Sequence, residues 1–244
     1  ALSVKPATFV PEPNGTKTMK SDTEEKYLQQ VNRVIDYINS HLNEPLRVET
    51  LAREVCLSEY HFHRIMRAYL HEPLATYIAR QRVERAVMSL QMKNIRLAQV
   101  AEMVGYETPQ SLSKAFKQFF GISPTAYRKR RAERYEEFST LKKESLKPEI
   151  LTEPELKLVY IRIIGRYGEE EPYIEAWRKL RDFLQINGLL TPSTRWIGIS
   201  FDDPTVTKTE QCRFYACATV EHDVSPQGAF GMKTIPQGRY AVYT

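Results

Sequence analysis

The chain repeats itself. Leu46-Arg47-Val48-Glu49-Thr50-Leu51-Ala52-Arg53-Glu54-Val55 aligns with Ile95-Arg96-Leu97-Ala98-Gln99-Val100-Ala101-Glu102-Met103-Val104. His61-Phe62-His63-Arg64-Ile65-Met66 then aligns with Ser111-Leu112-Ser113-Lys114-Ala115-Phe116, and Tyr77 with Tyr127. The offset is 49 in the first match and 50 in the later two, so one residue is gained across a turn. A repeat of this period marks two copies of one supersecondary unit. Each copy reads as a short helix with a central alanine, a turn, and a second helix bearing Phe or Leu and, four residues on, Met or Phe. Ala52 and Ala101 are small where the two helices must cross closely. Gly105 stands at the turn of the second copy, where a helix ends in a left-handed residue. This is a helix-turn-helix layout, present twice.

The flanking text is helical too. Leu28, Val31, Val34, Ile35, Ile38 and Leu42 recur near a 3.6 period and predict a helix from Glu24 to Leu42, capped by Ser21 or Asp22. Thr76 to Gln91 reads as one helix joining the copies, with Ile78, Val83, Val87 and Leu90 inward and an outer face carrying Arg80, Arg82 and Arg85. It has no interior Gly or Pro, so it should hold the two units at a fixed spacing. Phe62, Met66, Leu112, Phe116 and Phe119 are the expected core residues. The run Tyr127-Arg128-Lys129-Arg130-Arg131 either contacts phosphate or ends a solvated helix, where cations suit the dipole.

Charge divides the chain. Residues 21–147 carry 21 Lys and Arg against 16 Asp and Glu, a net +5; residues 148–244 carry 11 against 13, a net −2. A basic half joined to a mildly acidic one suits a polyanion-binding module with a second part. Residues 1–20 hold three prolines and no periodicity and read as a disordered arm. The sequence lacks a run of about 18 apolar residues and a signal-peptide layout, so a cytoplasmic protein that makes no membrane contact is expected. Cys56, Cys212 and Cys217 read as buried reduced thiols, with the latter two on opposite faces of a strand. His61 and His63, two apart, do not share a helix face, so no metal or other cofactor is expected. With no G-x-S-x-G, no H-E-x-x-H and no acid–base pair, no catalytic residue is assigned.

The segment RAVMSLQMKNIRLAQVAEMVGYETPQSLSKAFKQFFGISPTAYR, Arg85 to Arg128, resembles the signature of the AraC/XylS family of transcription regulators. Ala101, Gly105-Tyr106, Phe116 to Phe120, Gly121 and Ser123-Pro124 fall at that family's positions, and the likeness extends over about Glu24 to Arg131. The resemblance implies that one monomer places two recognition helices in successive major-groove segments of double-stranded DNA, roughly 34 Å apart. It implies base-facing positions at Tyr60, His63 and Arg64 in the first copy, and at Pro109, Gln110, Ser113 and Lys114 in the second. Arg64 suits guanine O6 and N7, and Gln110 suits adenine. Pro109 is equally a helix start. Arg47 and Arg96, at helix starts, are phosphate contacts or solvated residues. Ser111 and Ser113 are base-facing or ordinary helix-surface residues. RNA polymerase is the expected protein partner.

After Lys147-Pro148 the pattern changes. Leu156 to Ile164 reads as a strand ending at Gly165, and Tyr173 to Ile186 as an amphipathic helix with Ile174, Trp177, Leu180 and Leu184 inward. Trp196 to Phe201, Arg213 to Val220 and Arg239 to Tyr243 are further strands. The expected fold is therefore an all-α DNA-binding domain with two helix-turn-helix units (21–132), a linker (133–148) and an α+β antiparallel-sheet domain (149–244). VYIRIIGRYG, TRWIGISFDDP, and CRFYACATV followed by IPQGRYAVYT resemble the GyrI-like family. That family encloses a pocket for amphipathic, often cationic ligands between two strand–helix–strand–strand units. Here the second unit reads as incomplete, Gln237 to Tyr243 resembling only its first strand. Trp196 and Tyr215 either line a pocket or belong to the core.

The function expected is a sequence-specific transcription regulator, an activator answering to a small amphipathic ligand. The alternatives are a constitutive regulator whose C-terminal part mediates protein contacts, and a GyrI-like hydrolase.

Overall fold

The computed structural model describes residues 19–92, 94–141, 148–202, 204 and 207–242. The arm predicted over 1–20 lies outside them up to residue 18. The first helix, α1, spans Met19–Ser40, so Ser21 and Asp22 fall inside its first turn instead of capping it.

The repeat folds as a repeat. In the first copy α2 (Val48–Glu54) and α3 (Glu59–Leu70) form the helix-turn-helix; in the second, α5 (Leu97–Met103) and α6 (Pro109–Phe120) do so. Between them lies α4 (Leu74–Ser89), two residues earlier at both ends than its periodicity indicated. Each copy has its own core. Phe62, Met66, Leu51 and Ala52 pack with Val34, Ile35 and Ile38 of α1, and Leu112, Phe116, Val100 and Ala101 form the second cluster. Helix α4 serves both: Leu74 and Tyr77 enter the first core, Val83 and Ala86 the second, followed there by Leu90 at its C-cap. Crossing both cores makes α4 a strut that neither unit can shed without exposing apolar surface.

The turns follow the offset as well. Ser58 and Thr108 are the N-caps of α3 and α6, and their side-chain oxygens accept from the N–H of His61 (3.4 Å) and Ser111 (3.1 Å). The left-handed positions are Cys56 and Gly105 after the first helix of each copy, and His71 and Gly121 after the second. The first copy thus places non-glycine residues where the second has glycine. Cys56 is exposed there, contrary to the buried thiol expected; Cys212 and Cys217 are buried. Gly105 has a further constraint: a Cβ there would lie 2.2 Å from the Leu42 carbonyl oxygen.

Helix α7 runs from Pro124 to Leu141, well into the stretch read as a linker, and residues 142–147 lie outside the described part. The second half is an antiparallel four-stranded sheet of order β3-β4-β2-β5, with β2 at Leu156–Ile164, β3 at Trp196–Ser200, β4 at Arg213–Val220 and β5 at Phe230–Ile235. Two strands, β1 (Glu149–Glu153) and β6 (Gly238–Val242), pair separately. Helix α8 (Glu170–Ile186) covers one face of the larger sheet, setting Leu180 and Leu184 on Val159, Ile161, Ala216 and Ala218. Ile174, expected inward on α8, is 64% exposed: Ala176 holds the buried position instead. The other face carries Leu158, Tyr160, Tyr215 and Cys217, and it packs on α1.

Candidate DNA interface and its junction with the sheet

Capping and packing fix which residues α3 and α6 present. With Phe62 and Met66 buried, 3.6-residue periodicity turns Tyr60, His63 and Arg64 outward, and all three are exposed, Tyr60 to 78%. With Leu112 and Phe116 buried, Gln110 and Lys114 are exposed and Ser113 is half-buried. Pro109 occupies the first turn of α6, where its missing N–H costs nothing. Among the described residues, no side-chain hydrogen bond or ion pair engages Tyr60, Arg64, Gln110 or Lys114, so their polar groups are available to an outside partner. Arg47 is exposed before α2; Arg96 precedes α5 and its Nε donates to Gln99 Oε1 at 3.4 Å. Arg128 is half-buried, its Nε and Nη2 lacking hydrogen-bond partners among the described residues.

The arginines of α4 do not form an outer basic face. Arg82 donates from Nε to the Leu42 carbonyl (2.9 Å) and from Nη2 to that of Glu44 (2.8 Å), and its guanidinium lies 5.7 Å from the Tyr106 ring centroid. It thereby ties the segment after α1 to the turn of the second copy. Arg85 Nη2 donates to the Asn39 carbonyl (2.9 Å) at the end of α1. Arg80 is buried among Glu72, Glu84 and Asp202. The reason is tertiary: α4 is covered on several sides, which its own periodicity cannot reveal.

Arg80 belongs to a polar junction between the helices and the sheet. Arg213 Nη2 reaches Glu84 Oε2 on α4 (3.2 Å) and Asp202 Oδ1 (2.7 Å), while Thr207 Oγ1 donates to Glu84 Oε1 (2.6 Å). Three carboxylates, Glu72, Glu84 and Asp202, face two guanidiniums, leaving an excess of negative charge. Burial, together with the nearby Asp202 charge, pushes Glu84 up to about 7. Burial also works to raise Asp202, but the hydrogen bonds and charge of Arg213 overcome it and hold that carboxyl below its usual range.

A second cluster lies along α1. Arg162 Nη1 donates to Asn32 Oδ1 (2.6 Å), Nη2 to Asp36 Oδ1 (2.8 Å) and Nε to the Tyr215 hydroxyl (2.7 Å). The Tyr160 hydroxyl donates to Asp36 Oδ2, and Asn32 Nδ2 donates to the Ala229 carbonyl (2.9 Å). Gly231 on β5 leaves room for the Tyr160 ring, which a Cβ there would meet at 2.3 Å. The hint in the sequence was an arginine inside VYIRIIG, on the same strand face as Tyr160 by period-2 alternation.

Trp196 and Tyr215 are not brought together. Trp196 is 44% exposed on the α8 side, near Trp177, while Tyr215 is buried on the opposite face, stacked on Tyr160. Among the described residues, no group of three or more His, Cys, Asp or Glu could hold a metal, and no helix is long and apolar enough to cross a membrane.

Two families match. Residues 51–130 match a helix-turn-helix domain, and residues 146–244 match the GyrI-like small molecule binding domain. The HTH-type transcriptional activator AarP of Providencia stuartii is 30% identical over 98 residues, 40% of this chain and 73% of that protein. The regulatory protein SoxS of Salmonella typhimurium is 28% identical over 102 residues, 42% of this chain and 95% of that protein. The match to the putative HTH-type transcriptional regulator YkgA of Escherichia coli, 30% over 106 residues, spans 43% of either chain. Among solved structures, the DNA-binding domain of AdpA in complex with a target DNA is 30% identical with a TM-score of 0.42, covering 43% of this chain and 95% of that one.

Proposed function

Because the chain belongs to the AraC/XylS family of transcription regulators, we propose that it reads a specific asymmetric DNA site with α3 and α6 and activates transcription from it together with RNA polymerase. In this reading the DNA-binding domain is residues 21–132, and residues 149–244 form a GyrI-like domain responsive to a small amphipathic ligand in the cytoplasm. The carrying observation is the pair of outward rows, Tyr60, His63 and Arg64 on α3 and Gln110, Ser113 and Lys114 on α6, equivalent in a repeat and set on one strut. Among the described residues, the exposed polar groups of Tyr60, Arg64, Gln110 and Lys114 lack internal partners, as base-reading side chains require. Arg64 has the fork that matches guanine, Gln110 the amide that matches adenine, and each such pair discriminates by roughly 1–3 kcal/mol. Arg47 and Arg96 contact phosphates and set the register.

The test is selection of bound sites from random duplex DNA by the full chain. Wild type should yield a two-part consensus. Arg64→Ala should relax one position in one part, and Gln110→Ala one position in the other. Equal loss on selected and random DNA would turn either residue into a phosphate contact and remove its reading role.

A second reading, in which residues 149–244 only mediate protein contacts, is favoured by the exposed Ile174, Ile186 and Trp196 on the α8 side of the sheet. Ligand-independent DNA affinity would support it.

A further inference from the structure

A cavity of about 260 Å³ lies where α1 and α4 meet the sheet. Leu42 and Met88 line it from the helical side, Phe201, Tyr215 and Lys233 from the sheet. The aromatic wall is continuous, the Phe201 and Tyr215 ring centroids being 4.5 Å apart. Glu84 and Arg213 also line it, and the carboxylates at or near it are already engaged. Glu84 accepts from Arg80, Gln81, Thr207 and Arg213, and Asp36 from Arg162 and Tyr160. Arg213 is likewise spent on Asp202 and Glu84.

Lys233 is different. It sits on β5 opposite Leu158, on the sheet face turned toward α1, and is half-buried with Nζ 5.3 Å from the Phe201 centroid. Among the described residues it has no hydrogen bond and no ion pair. Burial pulls its ammonium below the usual lysine range, outweighing the attraction of the Asp36 carboxylate, which is itself bonded to Arg162 and Tyr160. The remaining charge at the mouth is also positive: Arg85 spends Nη2 on a carbonyl, not on a carboxylate.

The geometry points to this cavity as a binding site for a small organic carboxylate, its apolar body against Phe201, Tyr215 and Met88 and its carboxylate on the Lys233 ammonium. The volume suits a molecule of roughly ten heavy atoms, being larger than a cavity of about 150 Å³ that takes benzene and smaller than typical drug pockets. The class is anionic, opposite in charge to the cations that the GyrI-like resemblance suggests. Because the walls come from both halves of the chain, an occupant stabilises one arrangement of helices against sheet and is sensed at the strut carrying both readers. Only this regulatory consequence rests on the reading of the chain as a ligand-responsive regulator; the binding itself does not.

The experiment is titration calorimetry on the full chain without DNA, using phenylacetate and 2-phenylethylammonium as probes of similar shape and opposite charge. Phenylacetate should bind and the cation should not. Lys233→Met should weaken phenylacetate binding by about tenfold or more, the scale of one charge-assisted contact. Lys157→Met, at a half-buried lysine on the opposite face of β2 that pairs with Asp223 at 3.1 Å, should leave it unchanged. Should Lys233→Met fail to fold, Met88→Trp narrows the cavity from the exposed side and should also abolish binding. No phenylacetate binding by wild type at millimolar concentration, equal binding of the cation, or wild-type affinity in both cavity variants would each overturn the site. If phenylacetate binds yet leaves affinity for selected DNA unchanged, the site stands and the ligand-responsive reading falls.

Discussion

Two residue positions test how far the repeat governs local conformation. Gly105 is left-handed, with φ of 82°, and an added Cβ would meet the Leu42 carbonyl. Gly105→Ala should therefore destabilise the chain by roughly 1–3 kcal/mol from backbone strain, and more from the clash. Cys56, its counterpart, carries φ of 55° with a side chain in place, so Cys56→Gly should leave the melting temperature unchanged or slightly raised, although glycine inside a helix usually costs about 1 kcal/mol. Thermal unfolding of both variants checks the pair. Glu84 gives a pH signature. Asp202, Arg80 and Arg213 face it, with Glu72 and Tyr77 bonded in turn to those arginines, and its folded pKa is raised from 4.5 to about 7. A carboxyl that holds its proton more tightly when folded contributes stability that is complete below 4.5 and lost as pH rises through about 7. Asp202 has the opposite sign, but its loss begins only as pH falls below the ordinary 3.8, outside that window. The melting temperature should fall from about pH 5 to about pH 7, and Glu84→Gln should flatten that slope. An unchanged slope in the variant would remove Glu84 as the group responsible.

At the level of elements, much was legible because the strongest signal, burial at 3.6-residue spacing, appears twice in register. Phe62 and Leu112, Met66 and Phe116, Ala52 and Ala101, and Tyr77 and Tyr127 each mark equivalent positions, and that equivalence placed α2, α3, α5 and α6. The outward rows on α3 and α6 followed from the same spacing once the buried residues were known. What escaped depends on distant partners. Arg80, Arg82 and Arg85 fit an exposed helix face by periodicity; only packing against α1 and the sheet shows that they cap carbonyls and meet carboxylates. Strand β5 was missed because its FGMKTI sequence is interrupted by Gly231, whose purpose is room for Tyr160, a residue 71 positions earlier. Ile174 was placed inward by a helix pattern that Ala176 satisfies equally well. The reassignment of Arg82 has a measurable consequence. As a capping residue it neutralises no phosphate, so Arg82→Met should weaken binding to a two-part site while leaving the salt slope unchanged. A phosphate contact would instead reduce the slope by about 0.9. Binding measured over a range of salt concentrations separates the two.

At the scale of the whole molecule, the two halves are joined through buried charge as well as apolar packing. Arg162 is the point where α1, β2 and β4 converge, and Arg162→Met strands Asp36 and Asn32. Removing one partner of a buried pair costs about 3–5 kcal/mol, and the partial exposure of Asp36 to water puts this case at the low end. Denaturant unfolding should show that loss, with the sheet melting before the helices if the junction is what couples them. The same architecture bears on DNA. Helix α4 enters both cores and Arg82 bridges toward Tyr106, so the two readers should move as one body and meet successive major-groove segments only at their native separation. The decisive measurement is the affinity and stoichiometry of the full chain on its selected site, with and without an insertion of about 5 bp, half a helical turn, between the two parts. One protomer per site and a fall on insertion to the affinity of a single isolated part are predicted. Undiminished affinity for the inserted site would contradict the account, since only one helix-turn-helix could then be reading sequence.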